Sequence, residues 1–293
     1  MNELARLTGL SDWEIRRLNA LKPGDVMPNG QIADESTALI ETLEAVKEDY
    51  EKAPLAGIAC ALKNAGVGVG LPDTGRCRLQ IIDGKVNIFT SAACIGQGMG
   101  TMVTQMVSAY SGVNHSLIVA NPPDTLNSPD SGTTTASSQT VFTGEASGRA
   151  AIMLKDALQT KTLADLEGDE FYAEYLGETA PMGSPKPNPG SYVAYGYATH
   201  VVILDPEPGL MEKVIAAHDV GRAVNPQALE GQIEGGVVCS LGYGLTDDFP
   251  LKDGIPQVKF GTLGLFQAQN VPLIEARYMG KVNTDLAVGA KGV

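Results

Sequence analysis

Three stretches of the sequence carry residue types and spacings suited to gripping a polar ligand: "CIGQGMGT" at 94–101, "TASSQTVFTGEA" at 135–146 and "HDVGRAVNPQALEGQIEGG" at 218–236. In the first, Gly96, Gly98 and Gly100 alternate around Gln97 and Met99. That removes Cβ atoms from a tight turn, permits positive φ and lets backbone N–H groups approach a ligand. The G-x-G-x-G spacing is not the dinucleotide pattern G-x-G-x-x-G, and no Gly-Lys-Ser/Thr follows, so neither nucleotide-binding fingerprint is met. All three stretches are rich in small, amide and hydroxyl residues, and each opens a helix-like run. Helix starts leave free N–H groups that favour anions, so the three together read as the grip on one elongated anionic ligand. Singly, each has a plain structural reading. The glycine loop fits a strand-to-helix turn, the Ser/Thr run a cap or linker, and Asn225-Pro226 a helix cap.

Other chemistry is thinly represented. Cys60, Cys77, Cys94 and Cys239 are scattered without a C-x-x-C pair, and His115, His200 and His218 lack ligand spacing, so no zinc or iron–sulfur ligand set is offered. No metal held directly by side chains is expected. Asp219 beside His218 has no accompanying nucleophile motif. A net charge of −13 over 293 residues argues against nucleic acid or an anionic membrane as partner, since phosphate neutralisation needs clustered Lys and Arg. The N-terminus lacks a basic-then-apolar leader, and no run reaches the ~18 apolar residues of a membrane span. The expectation is a cytoplasmic protein.

The positioning elements follow from periodicity. "DESTALIETLEAVKEDYEKAP" carries Leu39, Ile40, Leu43, Val46 and Tyr50 at helical spacing and predicts one amphipathic helix ending before Pro54. "RCRLQIIDGKVNIFTSA" predicts a hairpin turning at Asp83-Gly84. A helix follows Gly100, with Met102, Val103, Met106, Val107 and Tyr110 on one face and a stop at Gly112; another begins near Ala136 after a long polar loop. "ETAPMGSPKPNPGS" has the composition of a connector and suggests a subdomain boundary. Beyond it, "SYVAYGYATHVVILD", "MEKVIAAHDVG" and "PLIEARYM" predict strands, and "NPQALEGQIEGGVVCSLGYGL" a helix opened by Asn225 and Pro226. Strands and helices interleaved in this order predict an α+β or mixed α/β fold.

With these segments in this order, and most diagnostically through "SPDSGTTTASSQTVFTGEA", the chain resembles the C-terminal half of the molybdopterin-binding catalytic subunit of the xanthine dehydrogenase family of molybdenum hydroxylases. The N-terminal "LNALKPGDVMPNGQ" shares in the resemblance, which runs almost end to end. It implies an α+β fold of two-layer, mixed-sheet subdomains: an N-terminal helical segment (1–52), a first cofactor-binding subdomain (53–183) and a second (184–293). Carried over by position, it implies cofactor contacts from Gln97, Gly98, Gly100 and Thr101, from Ser137, Ser138 and Gln139, and from Gln232, with Asn225 and Asp219 shaping the last turn.

The implied cofactor is molybdopterin with molybdenum held by the pterin, often in a cytosine dinucleotide form. The implied reaction is hydroxylation of an N-heterocycle (xanthine- or nicotinate-like) or aldehyde carbon with oxygen from water, assisted by a glutamate general base. Iron–sulfur clusters and FAD would sit in partner subunits. The pattern departs at both ends: the sequence starts in mid-pattern, and the general base is expected in a Gly-Glu just after Val293, with none inside the chain. That is the pattern of a catalytic subunit divided between two chains, as in nicotinate-dehydrogenase-like enzymes, with a partner carrying the other half; a trimmed chain or a partly ordered tail would show the same ends. A non-catalytic cofactor-binding or carrier module is the alternative. "NAGVGVGLPD" before the hairpin fits either a substrate-pocket wall or packing around a loop.

Overall fold

The computed structural model describes residues 1–207, 210–259, 261–282 and 288–293. The chain opens with helices α1 (Asn2–Thr8) and α2 (Asp12–Leu18). A capping box starts α2: Ser11 Oγ accepts the Glu14 N–H at 3.1 Å, and the Glu14 carboxylate accepts the Ser11 N–H at 2.7 Å. The helix expected across residues 34–54 forms as two pieces, α3 (Leu39–Glu44) and α4 (Lys47–Lys52). It breaks because tertiary donors claim its carbonyls. Trp13 Nε1 donates to Leu43 O at 2.9 Å and Arg277 Nη1 donates to Ala45 O, while Val46 turns inward and is fully buried.

Next come β1 (Ala56–Ala65) and the hairpin β2 (Asp73–Ile82) and β3 (Lys85–Phe89), which turns at Asp83 and Gly84, both at positive φ, as the Asp-Gly pair predicts. Then follow α5 (Met99–Ser111), β4 (Ile118–Ala120), α6 (Gln139–Ala157) and β5 (Glu170–Gly177). The chain continues through β6 (Ala194–Leu204), β7 (Met211–Asp219) and α7 (Pro226–Leu245), then a minimal ribbon of β8 (Leu251–Lys252) and β9 (Ile255–Pro256), then β10 (Leu273–Met279).

Two mixed sheets result. One has the order β4-β3-β2-β5, antiparallel except for the parallel β3–β4 pair. Strict alternation along β2 buries Cys77, Leu79 and Ile81 against Met102, Val103, Met106 and Val107 of α5 and Ala146, Ala150 and Leu154 of α6. Each fully buried Leu, Ile or Val there contributes about 1.5–3 kcal/mol relative to exposure. Helix α6 lies unusually close to this sheet. A Cβ at Gly75 would stand 2.2 Å from the Phe142 backbone, and one at Gly177 2.3 Å from the Phe142 ring.

The other sheet has the order β1-β6-β7-β10, antiparallel except for β7–β10. Trp13, Leu43 and Val46 pack on one face against Ile58, Val201 and Ile215; Ile233, Val237 and Leu241 of α7 cover Val214 and Ala216 on the other. The boundary expected at 183/184 falls in the connector between β5 and β6, but the sheets do not divide there. Strand β1, from before it, pairs along its whole length with β6, from after it. Among the described residues no helix is long and apolar enough to cross a membrane.

Candidate cofactor site

A cleft of about 270 Å³ opens where the loop before α5, the turn before α6, α7 and residues 291–293 meet; it brings Gln97, Ser137, Ser138, Gln139 and Gln232 to one place. An adjoining hollow of about 110 Å³ shares Gln97, Gln232, Thr140 and Val293 and adds Gly98 and Asn225. Six of the eight residues assigned from sequence thus line one connected depression. Gly100 and Thr101 do not. Gly100 faces the Ala120 methyl, where an added Cβ would sit at 3.6 Å, and Thr101 is exposed on the first turn of α5.

Local chemistry builds each wall. Gly98 caps α5 at φ 80°, ψ 31°, a left-handed position that suits glycine. On the opposite wall Ala136 and Ser137 both lie in the left-handed region, at φ 50° and 56°. Such residues cost of order 1–3 kcal/mol each and persist only where the surroundings hold them. Here Gly66 N donates to Ala136 O at 2.8 Å and Ser137 Oγ donates to Val293 O at 3.0 Å. This turn delays α6 from its expected start near Ala136 to Gln139. The floor is the strip 289–293: Arg222 N donates to Gly289 O at 2.8 Å, Lys291 N to Val220 O at 3.0 Å, and Gly292 packs under Ser137. Helix α7 starts as read, with Asn225 Oδ1 accepting the Ala228 N–H at 2.9 Å.

The side chains divide into braces and free faces. Gln97 folds onto its own loop, accepting from Ile95 N at 2.6 Å and donating to Ala93 O at 2.9 Å. Gln139 is buried, donates to Thr134 Oγ1 at 3.1 Å and accepts from the Thr143 hydroxyl. These two glutamines shape the walls. Ser137 and Gln232 are exposed to the cleft. In a chain with 34 acidic residues and a net charge of −13, no acidic side chain among the described residues lines either hollow; Arg222 is a cationic lining residue, whereas the Lys291 ammonium is turned beneath the floor onto Asp219. The donor set is neutral or cationic, as an anionic ligand requires.

Two features escaped the sequence reading. Cys94 is exposed at the glycine loop, where hydrogen bonds from the N–H groups of Gly96, Met99, Gly98 and Gly100 hold its thiol below the ordinary range. Cys77, by contrast, is fully buried and pushed up to about 12 by loss of solvent. His200 and His218 touch Nε2 to Nε2 at 2.7 Å on the β6–β7 face, beside an apolar hollow that shares Gly292 and Val293 with the cleft. Burial depresses both, His218 to about 4. Paired ring nitrogens on neighbouring strands leave no mark in linear spacing. The "NAGVGVGLPD" segment lines neither hollow: Gly68 packs on Tyr192 and Ser191, and Asp73 accepts the Gly68 N–H at 3.2 Å.

Comparison with known proteins agrees with this architecture. A profile of the molybdopterin cofactor-binding domain matches residues 34–167 and 157–272. The chain belongs to the molybdopterin cofactor-binding domain family. It is 27% identical over 282 residues to the aldehyde oxidoreductase of Megalodesulfovibrio gigas, covering 85% of this chain and 30% of that protein. It is 25% identical to the 6-hydroxypseudooxynicotine dehydrogenase complex subunit gamma of Paenarthrobacter nicotinovorans, covering 97% and 43%. The solved aldehyde oxidoreductase of Desulfovibrio desulfuricans superposes with a TM-score of 0.85 at 25% identity, over 100% of this chain and 35% of that one. The chain therefore spans well under half of these relatives.

The cleft fits the family's cofactor on its own chemistry. Its neutral amide and hydroxyl groups, the glycine-opened approach at Gly98 and the lack of lining acidic side chains among the described residues suit a phosphate-bearing pterin. Among the described residues no group of three or more His, Cys, Asp or Glu is placed to hold a metal ion.

Proposed function

We propose that this chain is the cofactor-holding part of the catalytic unit of a molybdenum hydroxylase, acting on an N-heterocycle or an aldehyde carbon with oxygen drawn from water. The observation that carries the reading is the cleft, free of acidic side chains among the described residues, on which three segments, more than a hundred residues apart at their extremes, converge. When bound, the cofactor supplies two-electron redox chemistry. The chain's own residues hold and orient it. The loop braced by Gln97 offers backbone N–H groups, Ser137 and Thr140 offer hydroxyls, and Gln232 offers an amide from α7. The dinucleotide form of the cofactor, with cytosine as the base, is part of the proposal and rests on the family resemblance. Among the described residues no acidic side chain lines the cleft, so we assign no general base among them. The remaining machinery, including iron–sulfur and FAD subunits and a chain carrying the rest of the catalytic unit, is assigned to partners.

The test is made on the complex purified from its source, assayed for molybdenum, pterin and released nucleotide, and for transfer of isotope from labelled water into N-heterocycles and aldehydes. Stoichiometric cofactor with label incorporation supports the reading. Cofactor without turnover on any of them supports the carrier alternative, and a complex free of molybdenum and pterin refutes both. Gln97→Ala and Ser137→Ala are each expected to weaken cofactor retention by about 1–3 kcal/mol, through a loosened loop in the first case and, in the second, loss of the cleft hydroxyl and of its bond to Val293 O.

A further inference from the structure

Beneath the cleft floor, three distant pieces of chain are tied to a single buried ammonium. Lys291 Nζ donates to Asp219 Oδ2 and to the backbone carbonyl of Ser36, both at 2.6 Å, with the two charged side chains 1% and 0% exposed. Asp219 Oδ2 also accepts the Ala38 N–H at 3.2 Å. Space is kept for the carboxylate: a Cβ at Gly280 would stand 2.2 Å from Asp219 Oδ1. A buried ion pair is a poor way to gain stability, because desolvation offsets the attraction and apolar residues of similar volume do as well. What such a pair supplies is a fixed geometry.

The neighbouring contacts show where that geometry is transmitted. Lys291 is bonded through its own N–H to Val220 O, and the next residue, Gly292, has no slack on either side: its carbonyl lies where a Cβ at Gly196 would meet it at 2.1 Å, and its own added Cβ would lie 3.1 Å from the Ser137 Cβ. Val293 O then accepts the Ser137 hydroxyl, closing onto the left-handed turn that opens α6. A shift of the lysine therefore reaches Ser137 through packed backbone.

We propose that Lys291 and Asp219 are positioning residues of the cofactor cleft, which set the height of the 289–293 floor and, through Gly292 and Val293, the orientation of Ser137 and the start of α6. The inference rests on the proposed cofactor function. It also assigns the stretch 36–38, far in sequence from the cleft segments, a part in shaping it.

The experiment compares the purified complex with Lys291→Met, Asp219→Asn, the double variant and Lys291→Arg, reading both the melting temperature and the rate at which fluorescent pterin is released on dilution. Each neutralising single variant strands a buried charge and is expected to lower both stability and retention. The double variant removes both charges and keeps an amide oxygen at position 219 to accept the Ala38 N–H, so its melting temperature is expected to return to near wild type. Its pterin release is expected to stay roughly 10- to 100-fold faster, the range seen when groups that orient a site's ligands are removed. Lys291→Arg keeps the charge but cannot place a planar fork on both acceptors, and gives the same readout should the double variant fail to accumulate: folded, with faster release. Wild-type release rates in whichever of these two folds overturn the inference alone. A wild-type complex that holds no pterin overturns the proposed function and the inference with it.

Discussion

Cys94 shows how a loop built for one anion treats another. The N–H groups of the glycine turn that are free to meet a ligand stabilise a thiolate at the same place, whereas Cys60 and Cys77 are raised by burial. Alkylation at neutral pH followed by mass spectrometry is expected to modify Cys94 well before Cys60 or Cys77, and bound cofactor is expected to slow it; equal labelling of the three would contradict the loop geometry. The histidine pair makes the second residue-scale prediction. His200 and His218 are buried neutral, with His218 at about 4 against an ordinary 6.5. Between these values the unfolded chain binds protons that the folded chain refuses, so their contribution is intact above about pH 6.5 and is lost as pH falls toward 4. After allowance for partial exposure the loss is up to roughly 2 kcal/mol. Melting curves between pH 4.5 and 7 are expected to show a steeper decline for wild type than for His200→Leu/His218→Leu; parallel curves would rule the pair out.

The helix starts depend on close approach of elements. Helix α6 can place Ser138 and Gln139 at the cleft because Gly75 and Gly177 let Phe142 lie against β2 and β5. Gly75→Ala must push the helix outward, since the obstructing atoms are backbone. Overpacking of this kind costs typically 1–3 kcal/mol, to be read by chemical denaturation, and cofactor retention is expected to fall with it; a neutral substitution would mean that α6 has room to move. Elements with strong periodicity or end signals were legible beforehand: the Asp83-Gly84 hairpin, the apolar face of α5 and the Asn225-Pro226 start of α7. Strand β1, rich in Ala with Ile58 as its one β-branched residue, carries little strand signal and was not foreseen, nor was β5. The break between α3 and α4 was invisible as well, because donors more than two hundred residues away in one case take the carbonyls there.

At the scale of the molecule, large apolar side chains gather outside the two cores. Tyr243, Leu245, Phe249, Leu251, Ile255, Leu265 and Leu273 are each between 59% and 86% exposed, all within a span of about thirty residues after the middle of α7. Helix α7 has little amphipathic contrast, its exposed positions mixing Glu230, Gln232 and Glu234 with Gly231, Gly235 and Cys239. Large exposed apolar side chains so closely grouped along the chain are the kind of surface that partners cover. Residues 1–293 expressed alone are expected to bind a hydrophobic reporter dye and self-associate in light scattering. Co-expression with a chain carrying the remainder of the catalytic unit is expected to suppress both. A dye-negative monomer would argue against partner subunits at this face.

Local signals along the chain were enough for the ligand class and most of the elements. Ligand-facing glycines, helix caps and short hydroxyl or amide runs act locally, so their spacing survives in one dimension. The three segments and the family resemblance follow from it. Which residues share the cleft, and what each does there, depends on contacts between distant parts of the chain. Gln97 and Gln139 turned from expected contacts into braces because their amides find partners within four or five residues of themselves. Gly100 turned under Ala120. Lys291, an unremarked basic residue in a run of small ones, became a buried junction because Asp219 and Ser36 meet it from 72 and 255 residues away. Pairing across such distances depends on sheet register and on the absence of Cβ atoms at particular crossings, and neither is written in local composition.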